Sequence, residues 1–162
     1  MKIIENYLPN TVFKNIKEQI EATTFPWYYN DYSTHPNSEP QLVHSFLYKN
    51  IPSSYTGILQ PILEEIPAQQ FLRIKGNLNW QTSKIIETGE HIDSDDSKLK
   101  SAIFFINNCD GYCRVGEKII KSEENKLLII NSNTKHTGTT TTNSKRRIVI
   151  NFVYIPYDKR HT

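Results

Sequence analysis

The chain has 162 residues, 37% of them hydrophobic and 22% charged, which suffices for one domain with a buried core and excludes two ordinary ones. A formal net charge of +2 gives no clear nucleic-acid signal, and the composition is that of a folded protein rather than a disordered one. No apolar run approaches the roughly 20 residues that span a bilayer, and MKIIENYLPN lacks the apolar stretch of a signal peptide, so no membrane association and a cytoplasmic location are expected.

Composition does not break along the chain and no repeat occurs, so residues 1–162 are expected to form a single domain. Its helical N-terminal support would cover about 1–68 and its β core about 69–156. After Pro9 the spacing of Phe13, Ile16 and Ile20 predicts a helix that Asn10 or Thr11 caps. The aromatics from Phe25 to Tyr32 read as strand or irregular packing, and a polar loop runs from Ser33 to Pro40. QLVHSFLY (41–48) reads as a strand. Beyond Ser53 and Ser54, Leu59, Ile62, Leu63 and Ile66 predict a second helix that Pro61 kinks or shortens.

From Phe71 the pattern turns to β. FLRIKGNLNWQT, SKIIET, KSAIFFIN, EKIIKS, KLLIINS and RRIVINFVYI are short segments rich in Ile, Val, Phe and Thr, punctuated by Gly, Asn, Asp and Ser. No helical pattern separates them, which excludes parallel βαβ units. The fold class is therefore mainly β, a jelly roll of antiparallel strands with N-terminal α-helices packed on the sheet. Cys109 and Cys113 lack the spacing and further ligands of a zinc site and read as ordinary thiols.

Three segments carry chemistry. In GEHIDSDDS, His91 and Asp93 are separated by one residue, so on an extended strand an imidazole and a carboxylate project to one side. His136, in NSNTKHTG, follows the apolar strand KLLIIN. Two histidines and one carboxylate leave open positions on a metal, the arrangement of non-haem Fe(II) sites and not of a closed zinc site. Arg147 opens the apolar C-terminal strand eleven residues after His136, and an inward-pointing guanidinium there needs an anionic partner that its planar fork grips. Arg146 faces the other way.

The order HID, KHTG, RRIVINFVY resembles the 2-oxoglutarate/Fe(II) dioxygenase superfamily, in particular its prolyl-hydroxylase-like branch with the small bacteriophage oxygenases. The resemblance covers most of the chain: IIENYLPNTVFKNI is similar to a strand-then-helix entry, RIKGNLNWQ to the first core strand, SAIFFINNCDGY to the strand and turn after HxD, and ENKLLIINSNTKHTG to the strand delivering the second histidine. It implies a double-stranded β-helix of cupin-like type. Fe(II) would be held by His91, Asp93 and His136, and the distal carboxylate of 2-oxoglutarate by Arg147, with O2 as co-substrate. The implied reaction hydroxylates a protein or peptide residue, or a small molecule, releasing succinate and CO2. Asp93 argues against the halogenating relatives, where a small residue stands in its place.

One departure is that Phe104 and Phe105 occupy positions where several relatives carry a tyrosine that helps hold the co-substrate. Lys75, Asn77, Asn79 and Gln81 alternate onto one face of LRIKGNLNWQ, which makes Asn79 and Gln81 candidate helpers. Phe104, Phe105, Phe152 and Trp80 are candidate apolar walls, and the polar segment from Asp31 to Pro40 is a candidate lid. Two other readings stay open: a cupin-like metalloenzyme that does not use 2-oxoglutarate, and a non-catalytic β-sandwich binding module. Oligomeric state is not legible.

Overall fold

The computed structural model describes residues 1–157; the last positions of the expected domain, 158–162, lie outside the described residues. An entry strand β1 (Lys2–Ile4) leads to the first helix, α1 (Asn10–Glu21). Its buried residues are Phe13, Ile16 and Ile20, the stripe expected from their spacing. Neither Asn10 nor Thr11 caps it. Pro9 occupies the cap position, and its carbonyl accepts the Phe13 amide at 3.0 Å. The second helix is shorter than its apolar pattern: a 3-10 turn at Thr56–Leu59 runs into α2 (Gln60–Glu65). Pro61 sits in the first turn of α2, where its missing N–H costs nothing, so it starts the helix instead of kinking it.

The aromatic segment after α1 contributes only β2 (Tyr28–Asn30), which pairs with β3 (Gln41–Tyr48); a short β4 (Ile51–Pro52) also pairs with β3. The β core consists of β5 (Ala68–Trp80), β6 (Lys100–Phe105), β7 (Tyr112–Val115), β8 (Lys118–Lys121), β9 (Lys126–Asn131), β10 (His136–Gly138) and β11 (Arg146–Pro156). The major sheet runs β1-β9-β6-β11-β5-β3-β2, and a minor sheet runs β10-β7-β8, all pairs being antiparallel.

Alternation along β11 assigns the two faces of the major sheet. Ile148, Ile150 and Phe152 pack with α1, α2 and Phe104 in the larger core, while Arg147, Val149 and Asn151 turn toward the minor sheet and the cavity between the sheets. A smaller core of Ile103, Phe105, Cys113, Ile120, Leu128, Ile130 and Val149 closes one end of that space. This is the mainly β jelly roll with helices on one face that the sequence pattern predicts.

SKIIET does not form the expected strand. The strand-like pairing of residues 81–91 is limited to single bridges, Gln81 to Thr141, Glu87 to Thr139 and His91 to His136. One of its backbone bonds is taken by a side chain, the Ile86 amide donating to Thr140 Oγ1 at 2.9 Å, and the Thr82 hydroxyl donates to the same Oγ1 at 2.7 Å. Thr139, Thr140 and Thr141 are buried, and the Thr141 and Thr142 hydroxyls both donate to Asp110. No helix among the described residues is long and apolar enough to cross a membrane.

Candidate metal centre

A cavity of about 260 Å³ opens between the two sheets, and His91, Asp93, His136 and Arg147 all line it. The two histidines are placed by the backbone. His91 and His136 exchange amide-to-carbonyl hydrogen bonds in both directions, at 3.0 and 2.9 Å, which sets them directly opposite one another on adjacent segments. Their rings lie 4.4 Å apart, centroid to centroid. Asp93 follows two residues on, its amide donating to the Ser132 carbonyl at 2.9 Å. One donor atom from each of the three side chains lies within 4.8 Å of the other two.

Each ring is oriented from behind. His91 Nδ1 lies 3.2 Å from the Gly89 carbonyl and His136 Nδ1 lies 2.9 Å from the Thr134 carbonyl. A carbonyl only accepts, so both Nδ1 atoms carry the proton and both Nε2 lone pairs are left for a metal. Burial is the main cause holding the His91 pKa below its ordinary value, and His136 adds to it, so the neutral imidazole a metal requires is favoured.

Asp93 is held by more donors than either ring. Arg73 Nη2 reaches Oδ1 at 2.6 Å, Ser101 Oγ donates to Oδ2 at 2.6 Å, and Asn151 Nδ2 lies 3.2 and 3.3 Å from the two oxygens. His136 Nε2 stands 3.6 Å from Oδ2. Burial pushes the carboxyl pKa up, but His136, Arg73 and the Ser101 hydrogen bond outweigh it and hold Asp93 below its usual value. The side chain is therefore an anion in a place only 2% exposed. Two imidazole nitrogens and one carboxylate, with no fourth protein ligand grouped with them among the described residues, leave coordination positions open. That donor set suits Fe(II) and does not suit a closed structural zinc site.

Arg147 lies fully inside the protein. Its Nε donates to Ser122 Oγ at 2.7 Å, Nη1 reaches the Thr139 carbonyl at 3.4 Å, and the guanidinium lies 5.8 Å from the Phe105 ring centroid. Among the described residues no carboxylate pairs with it and Nη2 has no partner, so burial pulls its pKa down with no anion to offset it. Gly111 makes room for the side chain: a Cβ there would lie 2.6 Å from Arg147 Cδ and 2.7 Å from the Thr140 carbonyl.

Asn79 faces Arg147 across the β5–β11 ladder and lines the cavity. It is 4% exposed, and its Nδ2 has no hydrogen-bond partner. Gln81, by contrast, is a correction. Strand β5 ends at Trp80, the alternation stops there, and Gln81 is exposed and donates to the Thr142 carbonyl at 2.5 Å, away from the cavity. The aromatic walls are a correction too. Phe104 and Phe152 belong to the core on the opposite face, Phe105 lies beneath Arg147 in the smaller core, and Trp80 does not line the cavity; Ile103 and Val149 do.

The structure adds residues with no assigned role in the sequence reading: Arg73, Ser101 and Asn151 around Asp93, and Cys113 on the cavity wall. Asn151 carried a signal, because it stands four residues after Arg147 in an apolar strand and so shares its face. Both cysteines are free, and burial raises the Cys113 thiol to about 11, which keeps it protonated and unreactive. Arg146 points away, 3.6 Å from Glu21. Ser33 and Thr34 of the candidate lid line the mouth, and both hydroxyls donate to the Thr88 carbonyl, at 2.8 and 2.7 Å. His35 is exposed.

No family model and no curated protein matches the sequence. Solved structures match throughout. A prolyl-4-hydroxylase from Pseudomonas putida superposes with a TM-score of 0.65 at 10% identity, over 96% of this chain and 92% of its own. The non-haem α-ketoglutarate-dependent carbocyclase SnoK of nogalamycin biosynthesis gives 0.66 at 12% identity, over 96% and 79%. A Trichoplax adhaerens prolyl hydroxylase, solved with a hypoxia inducible factor peptide, gives 0.63 at 10% identity, over 96% and 83%. The chain shares the jelly-roll fold of these oxygenases, at identities that establish the fold and leave the chemistry to its own residues.

Proposed function

We propose that the protein is an Fe(II)- and 2-oxoglutarate-dependent dioxygenase that hydroxylates a protein or peptide residue, or a small molecule, with release of succinate and CO2. The observation that carries this reading is the pairing, within one cavity, of an open His91–Asp93–His136 donor set with a buried Arg147 that has no counter-anion. The fold it shares with 2-oxoglutarate oxygenases supports it.

The residues present fit both groups. His91, Asp93 and His136 would hold the iron. The unpartnered Arg147 Nη2 and the orphaned Asn79 Nδ2, neighbours across β5 and β11, would meet the distal carboxylate of 2-oxoglutarate. With both groups bound, their chemistry supplies an oxidant able to break a C–H bond at the cost of one O2 and one 2-oxoglutarate. The protein's share is positioning. Gly89 and Thr134 carbonyls fix the imidazole tautomers, and Arg73, Ser101 and Asn151 keep the Asp93 carboxylate ionised and aimed. Ile103 and Val149 give the cavity an apolar flank, and Ser33 and Thr34, tied to the Thr88 carbonyl, add a polar one.

The substrate is left broad by the site itself. One neighbour was solved with a peptide and two others are named as a carbocyclase and an epimerase, so a peptide side chain and a small molecule both remain within the reading. The test is turnover: iron-loaded protein in air should convert 2-oxoglutarate to succinate slowly even without substrate, and Arg147→Ala should abolish it. Retained turnover in Arg147→Ala would take the co-substrate off Arg147, and no turnover in the wild type despite bound iron would favour a cupin-like metalloenzyme that does not use 2-oxoglutarate.

A further inference from the structure

The cavity is more basic than its proposed cofactors require. Arg73, Lys75 and Arg147 line it with three positive charges, against the single negative charge of Asp93. A divalent metal and a dianionic co-substrate cancel one another, so the loaded cavity keeps an excess of two positive charges. An excess of one sign in a walled cleft draws in the opposite sign.

Lys75 is the cation without an assignment. It lies on the cavity face of β5, opposite Asn151 in the β11 ladder, and no hydrogen-bond or ion-pair partner falls to it among the described residues. It is half-buried, and burial, with Arg73 adding to it, holds its pKa below the ordinary lysine value. An anion beside it would reverse that loss. Arg73 spends Nη2 on Asp93, but its Nε is buried with no partner. Both residues stand at the other end of the cavity from Arg147: Lys75 is four residues from Asn79, about 13 Å along the strand, and Asn79 is the residue facing Arg147.

We propose that the substrate carries an anionic group, a carboxylate or phosphate, which docks on Lys75 and the Nε of Arg73 while the carbon to be oxidised faces the metal. Lys75 is then the specificity-determining residue. This deepens the oxygenase reading and rests on it.

The experiment uses the full chain loaded with Mn(II), which holds the site without turnover, and saturated with 2-oxoglutarate. Three small probes are compared by ligand-observed NMR, in which Mn(II) broadens whatever enters the cavity: N-acetyl-aspartate methylamide, its neutral asparagine counterpart, and N-acetyl-phosphoserine methylamide. At least one anionic probe should bind about tenfold more tightly than the neutral one, equivalent to about 1.4 kcal/mol, and the two anions tell carboxylate from phosphate. Lys75→Met should erase the preference and Lys75→Arg should retain it, with 2-oxoglutarate affinity within twofold of wild type in both. Equal binding of neutral and anionic probes, or a preference that survives Lys75→Met, overturns the proposal. So does a large loss of 2-oxoglutarate affinity in Lys75→Met, since it would place Lys75 on the co-substrate. Failure of wild-type protein to bind 2-oxoglutarate is read separately, before any probe is added, and would overturn the underlying reading as well.

Discussion

Replacing Arg147 with methionine, a side chain of similar reach and no charge, separates two roles that a buried arginine can have. In the unliganded protein two effects oppose each other. The variant relieves a desolvated charge with no counter-ion, and it strands the Ser122 hydroxyl and the Thr139 carbonyl that Arg147 now satisfies. Each effect is on the order of 1–3 kcal/mol, so the net change in unfolding free energy should stay within about 2 kcal/mol. Binding of 2-oxoglutarate has no such compensation, because removing one partner of a buried charge pair costs about 2–5 kcal/mol. That is a loss of roughly 30- to 4,000-fold in affinity. The assay is thermal unfolding of Mn(II)-loaded protein with and without 2-oxoglutarate. At a ligand concentration of 100 Kd the wild type gains about 2.7 kcal/mol; the variant, at the same concentration, should gain at most about 0.9 kcal/mol. A variant that keeps the full ligand-induced gain would refute the reasoning. So would one whose unliganded form loses more than about 4 kcal/mol, because Arg147 would then be a structural residue.

Three further outcomes are expected. Gly111→Ala should weaken 2-oxoglutarate binding while leaving Mn(II) affinity unchanged, because the new Cβ pushes on Arg147 Cδ and the Thr140 carbonyl and not on the triad; calorimetric titration of each ligand checks it. The metal-free protein should lose stability as pH falls below about 6.5, by up to about 1.4 kcal/mol per pH unit. The cause is that burial depresses the His91 pKa, so the unfolded chain takes up that proton first. Asp93, also depressed, contributes stability that is lost only below its ordinary 3.8, so its loss begins at a lower pH than that of His91. His91→Gln should flatten the slope between pH 6.5 and 5 in denaturant titrations, and an unchanged slope would contradict the assignment. Phe104→Ala, which empties a fully buried site packed against Tyr7 and Phe13, should cost about 3–5 kcal/mol in chemical denaturation and leave metal affinity intact, since Phe104 faces away from the cavity.

The His91–Asp93–His136 cluster was legible because its parts obey short-range geometry. His91 and Asp93 share a side by alternation, and His136 follows an apolar strand that delivers it, so order along the chain was enough to group them. Arg147 was legible for a related reason: a charge at the head of RIVINFVYI has to be either solvated or partnered. What alternation cannot report is where a strand stops. Gln81 has the parity of Asn79 but lies just past the end of β5, and Phe104 has the hydrophobicity of a cavity wall but the parity of the opposite face. SKIIET has the composition of a strand, yet its pairing was taken up by Thr140, a competition between side chain and backbone that composition does not show. Arg73 and Ser101 come from β5 and β6, which flank β11 in the major sheet with both residues opposite Val153, and only that long-range pairing brings them onto Asp93.

The central claim, that one cavity holds Fe(II) on His91, Asp93 and His136 and 2-oxoglutarate on both the metal and Arg147, is met most directly by an anaerobic Fe(II) titration with and without 2-oxoglutarate. A weak visible charge-transfer band should appear only when both are present, at one iron per chain, and should vanish in His136→Ala. Bound iron with no band in the presence of 2-oxoglutarate would contradict the account and favour a metalloenzyme of another kind, and no bound iron at all would favour a non-catalytic binding module.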